Sequence, residues 1–529
     1  MRVPADFAAV PAAAQAPPQL QRDDLSSRLV IVALVALTIY SLGTNVYRAS
    51  RRFLWSDEIV TITVAEQWRG RGIWAALEDA ADSNPPPFYA MEAAASRLSA
   101  DPHLSYRLPS ILAFLAIPIA LFLFVRRRAG SVPALTAALV PFVTPLFRYY
   151  SIEARPYALT SCCLACAMAL WQVVDDRWPR ALALGLLLAA AAAFHYYAVF
   201  ALAPFAAAEM WRSIRTRRAR LQVWVAFAIG AAPLIAFAPL LWRFKQAYGA
   251  HFWAQASLAS VYNDLLGLRD FWAVAVAGLL ALAMLLAAAR ATAGVATREG
   301  PDVPAEDYAL AAAFICLPAI VFVGLHVTGG ALLSRYVMPT ILGVALSIGL
   351  AGARLTWKRP NVLVLGLIAT VFGFQQLEMW RFGRAPAAKS RTHPDVATVR
   401  QLIHDQNRAG LPVVVSNGMT FITMVHYEED GGRSLPLVYL VDVDNAVKFA
   451  NSDSVDRTVL SVRPYRQMRV EDAGDFLARN ERFLLYSTND PVWDWQVQRL
   501  LADGASVQVS AFAGGRTLYL IERGAARKS

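Results

Sequence analysis

Leu29-Val30-Ile31-Val32-Ala33-Leu34-Val35-Ala36-Leu37-Thr38-Ile39-Tyr40-Ser41-Leu42-Gly43-Thr44-Asn45-Val46-Tyr47 runs for nineteen residues without a charge. As a helix it would be about 28 Å long, close to the roughly 30 Å hydrocarbon core of a bilayer. Leu182–Phe194 and Phe271–Ala289 read the same way. The whole chain agrees: of 529 residues, 57% are hydrophobic and 17% charged. Soluble domains carry about 25% charged residues. The region before Leu29 is rich in Ala and Pro, and no small-residue cleavage site follows the first apolar run, so that run reads as a retained helix.

Hydropathy places about eleven spans, near 29–47, 108–125, 131–147, 156–174, 181–194, 197–211, 221–241, 271–289, 308–328, 331–351 and 361–378. The 181–194 and 197–211 spans are expected to meet in a tight re-entry at His195-Tyr196. The net charge of +11 sits as punctuation between runs, in Arg126–Arg128, Arg212–Arg220 and Arg354–Arg359. Basic inner loops of this kind set orientation, and no basic face of a soluble domain points to nucleic acid. With the N-terminus inside, an odd count puts the segment beyond Met379 outside. The partner implied by this pattern is the lipid bilayer. Cys162, Cys163, Cys166 and Cys316 all fall in apolar runs without His or Asp beside them, so they read as packing residues.

The expected fold is therefore a polytopic α-helical membrane protein, residues 1–378, followed by a C-terminal soluble α/β domain, residues 379–529. In the tail, Leu411–Ser416, Leu435–Val441 and Arg482–Ser487 read as buried strands. Val396–Asn407, Val470–Asn480 and Pro491–Asp503 read as amphipathic helices, and Gly514-Gly515 as the turn of a hairpin.

The chemistry-bearing residues gather in the expected outer segments. The first, about 49–107, holds Asp57 and Glu58 directly after Trp55-Ser56. An unpaired carboxylate near a membrane surface is costly and hence a functional candidate, although a solvated pair shielded by Arg51 and Arg52 would have the same composition. Neighbours on a helix point about 100° apart, so only one of the two can face a given cavity. Asn84-Pro85-Pro86-Pro87 should start a short helix running to about Leu98, with Asn84 as its cap. Between the third and fourth spans comes Tyr149-Tyr150-Ser151-Ile152-Glu153-Ala154-Arg155-Pro156-Tyr157. His195 lies between Phe194 and Tyr196, and Arg335-Tyr336 precedes Pro339 in a late span.

These motifs, in this order, resemble the GT-C superfamily of glycosyltransferases. The branch is that of the protein O-mannosyltransferases and the lipid A aminoarabinose transferase. The resembling segments are Asp57-Glu58, Asn84–Pro87, Arg107-Leu108-Pro109-Ser110, Tyr150–Tyr157 and Arg335-Tyr336. Asn84 and Pro87 stand where the family has His and Leu, and Ile152 where it has Gln. The resemblance implies a polyprenyl-phosphate sugar donor, transfer with inversion at the outer face of a bacterial inner membrane, and an extracytoplasmic, periplasmic C-terminal domain. The implied acceptor is a cell-envelope lipid, polysaccharide or protein.

On that reading Asp57 is the base, and Arg335, Arg155 and His195, in that order, are candidates for the donor phosphate. Glu153 orients the acceptor or pairs with Arg155, while Glu58, Asn84 and Tyr336 belong to the substrate-binding set. A divalent metal between Asp57 and Glu153 is compatible with the sequence, which shows no closed ligand set. Two other classes stay open: a lipid or sugar transporter, which would carry ionisable residues deep in its spans, and a non-catalytic membrane subunit with an outer binding domain.

Overall fold

A computed structural model describes residues 18–175, 177–248, 251–254, 257–266, 303–354, 360–384, 393–407, 409–429, 435–490 and 492–523. The apolar runs are helical. Among the described residues, three helices are long and apolar enough to cross a membrane: Ser27–Arg51 within the Pro18–Arg51 helix, Pro102–Ala129 and Pro360–Arg384. Two further pairs, Leu221–Ala236 with Ala238–Tyr248 and Ala305–Ile315 with Leu317–Thr328, are bent by 51° and 57° and give up to five spans. Pro239 in one pair and Pro318 in the other each follow the break by two residues and remove a hydrogen bond from the backbone ladder there.

Ser131–Val143, Tyr157–Trp171, Trp178–Phe194 and Thr340–Ala351 are apolar but shorter. A helix of about 13 residues is only about 20 Å long, so each reaches across the membrane only together with its flanking segments. The expectation is thus met in its all-helical, apolar character, while length and composition single out three to five spans among the described residues. The span expected at 271–289 lies outside the described residues. The re-entry expected at His195-Tyr196 is a longer link. Trp178–Phe194 ends at His195, a 3-10 turn covers Tyr196–Ala201, and Leu202–Thr216 follows. These two helices take different neighbours, Leu221–Ala236 for the first and Ala305–Ile315 for the second.

The ends of the helices that carry the basic clusters are tied by ion pairs. Arg128 Nε donates to Asp307 Oδ2 at 2.7 Å, and Arg215 reaches both oxygens of Glu306 at 3.1 and 2.8 Å. Glu209 accepts from Trp171 Nε1 at 3.0 Å and from Arg220 Nε at 2.9 Å.

Beyond residue 393 the chain forms a six-stranded sheet: β1 Val413–Val415, β2 Leu437–Val441, β3 Val470–Asp472, β4 Arg482–Ser487, β5 Ser506–Ala513 and β6 Arg516–Glu522. The order is β3-β2-β1-β4-β6-β5; β1 to β4 pair parallel, and β6 runs antiparallel to β4 and β5. Parallel strands covered on both faces read as continuous apolar runs, which is how Val413–Val415 and Leu437–Val441 read. The expected helix over Val470–Asn480 is β3 followed by Ala473–Arg479, with Asp472 capping that helix through the Asp475 amide.

The alternation of side chains across the strands decides where the sheet sits. Val414, Val438, Leu440, Phe483 and Leu485 face one way, into a core with Phe476 and Ile521. Val413, Val415, Tyr439, Leu484 and Tyr486 face the other. That second face shares a single core with Leu54, Ile59, Ile62, Phe88 and Tyr89 of the segment between the first two long apolar helices. The C-terminal region therefore packs on the segment that carries Asp57, through the Gly418–Glu429 helix that covers this face of the sheet.

Candidate active site

Asp57 and Glu58 lie in the first turn of the Ser56–Glu66 helix, and the turn assigns them opposite surroundings. Glu58 has no exposure and all its accepting capacity is used. Arg107 grips it with a two-toothed contact, Nε to Oε1 at 2.7 Å and Nη2 to Oε2 at 2.6 Å. Ala154 N–H donates to Oε1 at 2.9 Å, and Trp55 N–H to Oε2 at 3.3 Å, the second closing the start of the helix. The remaining Arg107 donors go to the carbonyls of Ala49, Arg52 and Phe53. Glu58 thus joins the end of the first span, the outer helix and the Tyr149–Tyr157 segment, and has no oxygen left for a substrate.

Asp57 is turned the other way. Its side chain makes no hydrogen bond or ion pair among the described residues. Burial raises its carboxyl above the ordinary aspartate range, and the positive fields of Arg155 and Arg335 pull against that rise. The carboxylate is therefore partly desolvated, close to two cations and claimed by neither.

Arg155 is held in place by its own partners. Its Nη1 donates to Asp82 Oδ2 at 2.9 Å, Thr61 Oγ1 at 2.8 Å and the Asp57 carbonyl at 3.2 Å. Arg155 Nε–H is buried with no partner. Arg335 sits in the 3-10 turn Ser334–Val337 and makes no ion pair among the described residues; its Nε–H is also buried and unpartnered. Its guanidinium lies 5.5 Å from the ring centroid of Tyr336 and 6.0 Å from that of Trp253. Two buried arginine N–H groups without acceptors, beside one unpaired carboxylate, form a place for an oxyanion.

Aromatic rings wall the site. Tyr150 packs on Tyr157 at 4.7 Å between centroids, Tyr157 on His195 at 5.4 Å, His195 on Tyr336 at 5.0 Å and Tyr336 on Tyr197 at 4.6 Å. Tyr197 OH donates to the Ala331 carbonyl at 2.7 Å, fastening this wall to the turn that carries Arg335. His195 lies within the fields of both Arg155 and Arg335.

Asp57, Arg155, His195, Arg335 and Tyr336, the residues expected to share one site, are thus brought together. Glu153, also expected there, is not. Its carboxylate takes bonds from Arg52 Nη2 and from Trp55 Nε1, the latter at 2.8 Å. Arg155 pairs instead with Asp82. Both Glu153 oxygens are engaged, and no group of three or more His, Cys, Asp or Glu among the described residues is arranged to hold a metal.

Asn84 is buried and not a cap: its N–H and Nδ2 donate to Tyr89 OH at 3.2 and 3.4 Å, and Pro85 caps the Pro86–Ala95 helix. Asp82, Thr61 and Tyr89 were not legible as site residues, since Asp82 is one of several acids in Glu78-Asp79-Ala80-Ala81-Asp82 with no distinguishing spacing. Arg107 stood in a quoted motif, yet its grip on Glu58 bridges 49 positions of sequence. Glu92 is also buried, with neither oxygen partnered, and burial together with Glu58 pushes its carboxyl well above the ordinary range.

Residues 83–242 match the family model of dolichyl-phosphate-mannose-protein mannosyltransferases. That segment includes Asn84, Glu153, Arg155 and His195, whereas Asp57 and Arg335 lie outside it. Among solved structures, the chain is similar to ArnT from Cupriavidus metallidurans in the apo state. The identity is 16% over 93% of this chain and 97% of that one, and the TM-score is 0.57. It is similar also to ArnT from Cupriavidus metallidurans bound to undecaprenyl phosphate, at 14% identity, the same coverages and a TM-score of 0.52. No curated protein matches the chain. At these identities the shared feature is the fold, and it bears out the GT-C resemblance read from the motifs.

Proposed function

We propose that this chain, a membrane protein with the GT-C glycosyltransferase fold, transfers a sugar from a polyprenyl-phosphate donor to an acceptor hydroxyl. We place the reaction at the outer face of a bacterial inner membrane, with the C-terminal sheet region on the periplasmic side. The observation that carries the reading is the half-buried Asp57 carboxylate, unpaired among the described residues and set in the fields of Arg155 and Arg335.

The acceptor oxygen attacks the anomeric carbon while Asp57 takes its proton. The bond from that carbon to the phosphate oxygen breaks, and the electron pair leaves with the phosphate. One displacement inverts the anomeric configuration. Charge gathers on the phosphate, where fixed donors in a water-poor site are worth most. The unpartnered N–H groups of Arg335 and Arg155 suit that task. Asp82 holds Arg155, and Tyr336, Tyr157 and His195 exclude water. Glu58 and Arg107 keep the Asp57 helix in position. Support for a lipid-phosphate donor comes from the undecaprenyl phosphate bound by the similar fold and from the dolichyl-phosphate-mannose named by the family model.

The test is donor binding. Purified Arg335→Ala should lose binding of a polyprenyl-phosphate sugar, and Arg335→Lys should recover part of it, because a lysine keeps the charge without the planar fork. Unchanged binding by Arg335→Ala would remove Arg335 from the phosphate site.

A further inference from the structure

We infer that the acceptor is a saccharide, and that its ring is held in a second cavity on the outer side, next to Arg335. The inference rests on the transferase reading above and names the acceptor class that the reading leaves open. The cavity, of about 360 Å³, lies where three stretches distant in sequence meet: Phe252–Ala254 with Ser260, Val261 and Asp264, then Leu332–Ser334, and Ala450–Ser452 with Val492-Trp493 of the sheet region. Ser334 in its wall directly precedes Arg335, and Trp253 is the ring over which the Arg335 guanidinium lies. The cavity therefore borders Arg335, one of the cations assigned to the donor phosphate.

Its chemistry is specific. Trp253 and Trp493 stand edge to face with centroids 6.2 Å apart, which leaves indole surface turned to the space between the segments. The rim is polar, and its side chains are unspent: Ser260, Asp264, Ser334 and Asn451 make no side-chain hydrogen bond among the described residues. A sugar ring has one face of C–H groups and an edge of hydroxyls. Flat aromatic surface matches the first, and free carboxylate, amide and hydroxyl groups match the second. An extended peptide would instead look for backbone partners in an open sheet edge or groove.

The walls are also fixed in place. Ser452 Oγ donates to the His251 carbonyl at 2.9 Å, and Trp253 N–H donates to Ser454 Oγ at 3.3 Å, so the sheet region holds the Trp253 segment.

The experiment uses the full chain in nanodiscs free of sugar-based detergent. Saturation-transfer NMR is read for three probes: cellobiose, an N-acetylglucosamine disaccharide and a serine- and threonine-containing hexapeptide. Binding of polyprenyl phosphate is measured on the same samples. A disaccharide signal is expected from the unaltered protein, reduced at least fivefold in Trp493→Ala and largely retained in Trp493→Phe. Asp264→Asn, a milder change, should weaken it as well. Polyprenyl phosphate should bind the unaltered protein, Trp493→Ala and Asp264→Asn equally. Disaccharide signals indifferent to both the Trp493 and Asp264 changes, or a signal from the hexapeptide alone, would overturn the inference. Loss of polyprenyl phosphate binding in the unaltered protein would overturn the transferase reading instead, whatever the disaccharides do.

Discussion

Asp57 and Glu58 carry nearly the same side chain, and only their placement separates them. One turn of helix directs Glu58 into Arg107 and leaves Asp57 facing the arginines assigned to the phosphate. Replacing Asp57 with Asn keeps size and hydrogen bonding but cannot accept a proton. General-base catalysis contributes about 10²–10⁴-fold, so Asp57→Asn should lower transfer by at least about 10²-fold with donor binding and folding intact. The pH profile gives a second reading of the same group. The base works only when deprotonated, and burial raises its carboxyl above the ordinary value, about 4. Activity should therefore fall on acidification from a higher pH than an exposed aspartate would give, and Asp57→Asn should have a low rate without that limb. Full turnover in Asp57→Asn would sink the proposed mechanism. Asp57 and Arg155 were legible in sequence because charge beside an apolar run is costly and so stands out, and Arg335 because Arg335-Tyr336 resembles a family motif. The partner of Arg155 was not legible: choosing Asp82 over Glu153 takes the fold of a whole outer segment.

The Ser56–Glu66 helix shows what an element contributes. Its start is fixed by Glu58, whose carboxylate gathers Arg107, the Trp55 amide and the Ala154 amide, while Arg107 binds three carbonyls at the end of the first span. Glu58→Gln would leave the Arg107 guanidinium buried without its counter-charge, and breaking a buried pair of this kind costs about 3–5 kcal/mol. The expected result is a clearly lowered melting temperature and poor expression. Asp57→Asn should melt like the unaltered protein. An unchanged melting temperature for Glu58→Gln would refute the structural role given to it here. Among the other elements, the Gly514-Gly515 hairpin was legible because both glycines are needed at positive φ, 57° and 75°. The buried strands were legible as short apolar runs. The spans were only partly so, because hydropathy counts apolar residues and does not register where Pro239 and Pro318 bend a helix or how short a helix is once folded.

At the scale of the molecule, the sheet region and the first outer segment share one core, so they must lie on the same side of the membrane. On the positive-inside rule, the basic clusters at Arg126–Arg128 and Arg212–Arg220 argue for that side being outside, which is the orientation proposed above. A reporter active only outside the cytoplasm should be active when fused after Arg523 and silent when fused after Arg128. Reversed signals would overturn the orientation and the placement of the reaction with it.

Sequence by itself determined that this chain is a helical membrane protein with an α/β tail, because apolar length and period are local properties that a lipid core or a packed sheet selects directly. It also singled out Asp57 and the arginines, whose cost near a membrane is set by their immediate neighbours. The tertiary structure alone decided that Glu58 is spent on Arg107, that Glu153 belongs to Arg52, that Asp82 positions Arg155, and that the tail covers the Asp57 segment. Each of those is a contact between residues far apart in the chain, and hydrogen-bond partners are chosen by distance in space, which a linear pattern does not contain.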